Sequence, residues 1–89
     1  MEETKLDGNA AGGVLREIFP FEMTMAQATC DGCGTTGAVA VQAVYMSNMG
    51  VIVRCLACES ALMRVARGSS GRYWLDLRGV RVLQITAEA

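Results

Sequence analysis

The sequence predicts a small, mainly-β domain stabilised by a metal ion, with two cysteine knuckles and one N-terminal α-helix. Three features of the chain point there. Its only four cysteines form two C-x-x-C pairs, Cys30/Cys33 and Cys55/Cys58, with 21 residues between Cys33 and Cys55. Two such pairs separated by about 15–20 residues read as one tetrahedral four-thiolate site, and a slightly longer spacer is easily absorbed. At 89 residues the chain buries only about 60–65% of its unfolded surface, so its core is marginal and a metal is a common supplement. Beyond residue 20 the apolar residues mostly alternate, the period of strands.

The physical reason for the ligand reading is geometric. Two cysteines separated by two residues can both point at one ion from a tight turn, and two such turns supply four thiolates. Zinc is the expected ion, because thiolate sulfur at tetrahedral corners suits it. A rubredoxin-like iron site uses the same four donors and is the less favoured alternative. A redox dithiol would need only one pair and a βαβ pattern, which is absent. A disulfide framework would need an oxidising compartment.

In chain order, residues 1–6 are polar and read as a flexible end, with one domain over 7–86. Asp7 is placed to cap a helix over about 9–19, whose apolar stripe is Val14, Leu15, Ile18 and Phe19, ended by Pro20. Ala10-Ala11-Gly12-Gly13 is weak helix sequence, with each glycine costing about 1 kcal/mol. It reads as chosen for close packing against the domain's own sheet, or against a partner. Phe21, Met23 and Met25 alternate with Glu22 and Thr24, predicting a strand over 21–29 that leads into the first knuckle, 30–34. Gly34 can take positive φ freely, which would turn backbone N–H groups toward the sulfurs. The spacer, 35–54, reads as a hairpin turning at Met46–Gly50 and apolar on both sides, as if covered twice. In the second knuckle, 55–59, Glu59 stands where Gly34 stands in the first, at a cost of about 1–2 kcal/mol if the turn is the same. Strands follow over about 61–67, 72–78 and 80–86, with Gly68–Gly71 as a loop and Gly79 as a break. There are no repeats and no internal linker.

The formal net charge is −1, with −4 in residues 1–44 and +3 in residues 45–89, where six arginines lie. Any nucleic-acid surface must therefore be local. There is no histidine, which closes off Cys–His and Ser–His catalysis, and no pair of acids is placed by sequence for acid/base work. A non-enzymatic module is the expectation, with no catalytic residues. The first residues, Met1-Glu2-Glu3-Thr4, resemble no signal peptide, and no apolar run reaches the ~18 residues of a membrane span. The expected location is the cytoplasm, where thiols stay reduced.

Arg72, Trp74 and Arg78 are expected on one strand face, with Arg64 on the preceding strand. An aromatic flanked by arginines can stack a base and hold phosphates. The plainer reading has Trp74 covered and the arginines solvated or paired with Asp76 and Glu59. A nucleic-acid or protein partner follows from the first reading. Arg54, beside Cys55, is expected to balance thiolate charge. Electron transfer through iron and a thiol switch that ejects the metal on oxidation are the other functions the four cysteines allow.

Cys30-Asp31-Gly32-Cys33-Gly34 resembles the C-x-x-C-G turns of zinc-ribbon and rubredoxin-like proteins. Cys55-Leu56-Ala57-Cys58 is similar to the second such turn, with Glu59 in place of its usual glycine. Leu6-Asp7-Gly8-Asn9-Ala10-Ala11-Gly12-Gly13 and Tyr73-Trp74-Leu75-Asp76-Leu77-Arg78-Gly79-Val80-Arg81 resemble the two ends of a family of short bacterial proteins classed as a domain of unknown function. That resemblance covers nearly the whole chain. It implies a zinc-ribbon-like fold and no particular activity.

Overall fold

The computed structural model describes residues 4–86. Among these residues eight strands form two sheets. A five-stranded antiparallel sheet has the order β1 (Thr4–Asp7), β4 (Ala43–Ser47), β5 (Gly50–Arg54), β6 (Ala61–Arg67), β7 (Tyr73–Asp76). A three-stranded sheet has the order β3 (Thr36–Ala38), β2 (Gln27–Cys30), β8 (Val80–Gln84). The one helix, α1 (Gly12–Ile18), follows a 3-10 turn over Gly8–Ala11. This is a small, mainly-β architecture with one helix, as the sequence predicts.

The Asp7 carboxylate accepts from the Asn9 N–H at 3.1 Å, but it caps the 3-10 turn. The helix α1 itself begins only at Gly12, after Ala11, with no side-chain cap, and ends at Ile18 rather than spanning 9–19. Val14 and Leu15 are buried, and Ile18 and Phe19 pack partly buried against the same core. The helix lies on the inner face of the large sheet. Glu17 takes hydrogen bonds from Arg67 and from the Tyr73 hydroxyl, tying α1 to β6 and β7. Along β4, β5 and β6 the inward positions Val44, Val53 and Met63 form one cross-strand row, and Val51 and Val65 lie on the next. Leu62 and Met63 are both buried because Arg54 pairs with Ala61 while Val53 pairs with Met63. Leu62 is the extra residue of a β-bulge, which turns it inward.

Several sequence expectations are corrected. Thr4–Asp7 is not a loose end but a strand pairing with β4, Leu6 opposite Val44. Residues 1–3 lie outside the described residues. The strand expected over 21–29 starts only at Gln27. Met23–Met25 is a 3-10 turn, with Met23 buried and Met25 exposed. The reason is local: Glu22 receives Arg16 at 2.9 Å and the Thr24 hydroxyl at 2.6 Å, which closes the chain into a corner after α1.

The spacer 35–54 is not one hairpin. Its first strand, β3, belongs to the small sheet, and Val39–Val41 is a 3-10 turn that carries the chain across to the large one. Only β4 and β5 form a hairpin, turning at Asn48-Met49. Nor is that hairpin covered on both sides. Alternation puts Tyr45, Ile52 and Arg64 on the face opposite the core, where Tyr45 and Ile52 are half-buried and Arg64 is exposed rather than packed like the core face.

Close packing of Ala10-Ala11-Gly12-Gly13 is only partly present: Ala11 is fully buried and a Cβ on Gly12 would meet Thr24 at 3.3 Å, but the tightest approach lies earlier, at Gly8. A Cβ there would lie 1.7 Å from the Val39 carbonyl oxygen, whereas Gly13 faces open space.

Candidate metal centre

Each cysteine pair occupies the turn of a hairpin, one in each sheet. The first joins β2 to β3, the second joins β5 to β6. In the first, the Gly34 N–H donates to the Cys30 carbonyl at 2.8 Å and the Cys30 N–H to the Thr35 carbonyl at 2.9 Å. The second repeats this: Glu59 N–H to the Cys55 carbonyl at 2.8 Å, and Cys55 N–H to the Ser60 carbonyl at 2.8 Å. Gly34 has φ 79° and Glu59 has φ 68°. Glu59 thus adopts the conformation that glycine adopts freely, and the turn keeps its shape. Arg54 donates to the Glu59 carbonyl at 3.2 Å, and its guanidinium lies 5.7 Å from the centre of the Tyr45 ring. The contact seen for Arg54 is therefore a backbone brace on the knuckle.

The two turns bring all four Sγ atoms within 4.8 Å of one another. The close pairs run between knuckles: Cys30 to Cys58 at 3.6 Å, and Cys33 to Cys55 at 3.7 Å. A tetrahedral ion with metal–sulfur bonds of about 2.3 Å has sulfur–sulfur edges of about 3.8 Å, so the donors fit such an ion. The four thiols are free, Cys30 and Cys55 buried and Cys33 and Cys58 exposed.

Their surroundings differ accordingly. The Thr35 hydroxyl, 3.2 Å from Cys33 Sγ, and the Thr35 N–H pull that thiol down to about 6. The Ser60 hydroxyl, 3.3 Å from Cys58 Sγ, lowers the Cys58 thiol in the same way. Burial pushes Cys55 up to about 11. The exposed sulfurs are held toward thiolate, the form that binds metal. The buried Cys55 would need the charge of a cation to ionise.

A family model described as a family of unknown function (DUF6510) matches residues 2–88. The chain belongs to this family. No curated protein and no solved structure matches it. Membership of DUF6510 agrees with the resemblance read from the two ends of the chain, and the four-cysteine cluster is consistent with a zinc-ribbon-like domain. Among the described residues no helix is long and apolar enough to cross a membrane.

Within this DUF6510 fold the arginine–tryptophan group is only partly assembled. Arg64 and Trp74 share the outer face of the large sheet, and Trp74 is 58% exposed. Arg78 joins them through Asp76, which it holds at 2.6 Å. Arg64 approaches the same carboxylate at 3.9 Å. Arg72 lies in the turn before β7 and does not line the hollow that the other three border.

Several residues that shape the site are not singled out by sequence reasoning. Gln42 is buried; its amide donates to the Ala38 carbonyl at 3.0 Å and its Oε1 accepts from the Leu56 N–H at 2.9 Å. It links the spacer to the second knuckle. Nothing in the local sequence marks it, because its partners lie in two separate turns. Thr35 and Ser60 do leave a signal: a hydroxyl residue stands two places after the second cysteine of each pair. Arg81 reaches Asp31 in the first knuckle, at 3.3 Å to the carboxylate and 3.1 Å to the carbonyl. A register shift makes this possible, with Thr29 opposite Val82 but Cys30 opposite Val80.

Proposed function

We propose that this chain is a non-enzymatic, cytoplasmic module held together by one zinc ion on Cys30, Cys33, Cys55 and Cys58, which presents the outer face of its large sheet to a nucleic-acid or protein partner. The observation that supports the reading best is the convergence of four free thiols from two hairpin turns of matching backbone geometry. Soft thiolate donors without histidine or carboxylate suit zinc in a structural role, where all four positions are taken by protein. Such an ion contributes on the order of 10–16 kcal/mol of apparent binding energy at neutral pH, and most of that is folding energy. A domain of this size has little other reserve. Free thiols at the surface fit a reducing compartment.

The test is metal analysis of protein purified without added metal, followed by chelation. One zinc per chain and a large fall in melting temperature after chelation are expected. A red protein with a reversible one-electron couple would replace zinc by iron and the module by an electron carrier. A metal-free protein that melts cooperatively at an unchanged temperature would end the proposal.

A further inference from the structure

The face of the five-stranded sheet turned away from α1 carries two cross-strand rows. One runs Tyr45, Ile52, Arg64, Asp76; the next runs Ser47, Gly50, Ala66, Trp74. Both central positions of the second row are small, so Trp74 stands above a low floor. The ring is seated rather than loose: a Cβ on Gly68 would fall 2.3 Å from its benzo edge, so only glycine lets the indole rest there. The rest of the ring is open to solvent. Beside it lies a shallow hollow of about 520 Å³, with Leu75 and Leu77 in its lining and Arg64, Asp76 and Arg78 at its edge.

The charge of this face runs against that of the chain. From β4 to the turn after β7 it presents Arg54, Arg64 and Arg78 against one carboxylate, Asp76, in a protein of net charge −1. Asp76 stays ionised because Arg78 hydrogen-bonds it and holds its carboxyl down to about 2. It holds the Arg78 guanidinium at 2.6 Å and draws Arg64 to 3.9 Å, leaving the Arg64 and Arg78 side chains 54% and 88% accessible.

We infer that this face binds single-stranded nucleic acid, with Trp74 stacking on a base and Arg64 and Arg78 contacting the neighbouring phosphates. A half-bare indole with two cations gathered beside it at Asp76 offers what an unpaired strand needs, a π-surface and neighbouring phosphate contacts. A duplex keeps its bases stacked inside and cannot use the ring. A protein partner would be expected to anchor a side chain in a concave apolar pocket. Here the hollow does have apolar lining, from Ala66, Leu75 and Leu77, but it is open, and the exposed guanidinium groups of Arg64 and Arg78 at its edge favour a polyanion. The inference deepens the partner surface proposed above and rests on it.

Trp74 is the chain's only tryptophan, so its own fluorescence reports the contact. Metal-loaded protein, its metal content and melting measured on the same sample, is titrated at low salt with oligothymidylate and oligouridylate of about 15 nucleotides. The expected result is quenching of the indole emission and an affinity that falls with salt. A duplex of equal length should bind more weakly and without quenching. Trp74→Ala, followed by anisotropy of a labelled strand, should weaken binding roughly 5- to 100-fold. Arg64→Gln and Arg78→Gln should each flatten the logarithmic salt slope by about 0.7. Arg16→Gln, which alters an exposed arginine on α1, should change neither.

No binding by protein that carries its metal and melts cooperatively overturns the inference and leaves the metal reading intact. Binding without quenching, or binding indifferent to Arg64→Gln and Arg78→Gln, overturns it too, because the strand then lies elsewhere. Protein that lacks metal and fails to fold fails the earlier reading instead, and the two failures are told apart by the metal and melting measurements.

Discussion

Glu59 is the residue that sequence and structure treat most differently. Its φ of 68° would suit glycine, and holding a side chain there costs about 1–2 kcal/mol. Part of that cost would reappear with glycine as extra freedom of the unfolded chain, about 0.4–1 kcal/mol. Glu59→Gly is therefore expected to stabilise the metal-loaded protein by up to about 1 kcal/mol, read from the denaturation midpoint. A loss of stability would mean that the Glu59 side chain makes a contact worth more than the strain. Asp76 makes the opposite case, a perturbed group with little influence on stability. Its carboxyl is held down to about 2, chiefly by its hydrogen bond to the Arg78 side chain. Folding thus favours the ionised form. That contribution is complete at neutral pH and fades only as pH falls below the usual carboxylate value toward 2. Thiolate protonation releases a bound metal at milder acidity. Arg78→Gln is accordingly expected to leave the acid-unfolding midpoint unchanged when circular dichroism is followed from about pH 7 to about pH 3.

Among the elements, α1 and the turn before it show two kinds of glycine. Gly8 lets the chain pass over Val39, with no room for a Cβ. Gly13 faces solvent inside the helix and meets nothing within 4 Å. Gly8→Ala should cost roughly 1–3 kcal/mol through overpacking, while Gly13→Ala should add about 0.5–1 kcal/mol through helix propensity. Thermal melts of the two variants should move in opposite directions. The small-residue stretch marked in the sequence, Ala10–Gly13, does not include Gly8. Helix periodicity is local, whereas the crossing of Gly8 over Val39 joins parts of the chain far apart in sequence. Gln42 belongs to the same class. Gln42→Ala would strand the Leu56 N–H and loosen the second knuckle, costing about 1–3 kcal/mol and weakening metal affinity roughly 10- to 100-fold. A competition titration with a chromophoric chelator measures it.

At the scale of the molecule, the two knuckles lie in different sheets, so an ion on all four sulfurs would staple one sheet to the other. The sheets are unequal. The large one contributes Val44, Val51, Val53, Met63 and Val65 to the core, while β2 contributes only Ala28 and Cys30 as fully buried apolar residues. Removing the metal should therefore damage the small sheet more. Amide hydrogen exchange of chelated protein is expected to show protection lost across β2, β3 and β8, with what survives concentrated in β4, β5 and β6. Equal loss in both sheets would show that neither persists without the staple.

By itself the sequence determined the four cysteines as one cluster, a helix in the N-terminal stretch, the left-handed position at Gly34, and the strands after the second knuckle. Each of these is written in spacing or in local alternation, which short-range sterics enforce. Tertiary structure alone decided that the spacer leaves one sheet for the other, that residues 21–25 turn a corner, that Gln42 braces a knuckle, and that Arg64, Trp74 and Arg78 share an open face while Arg72 does not. Those outcomes depend on which strands pair across long separations, and pairing is settled by the core as a whole.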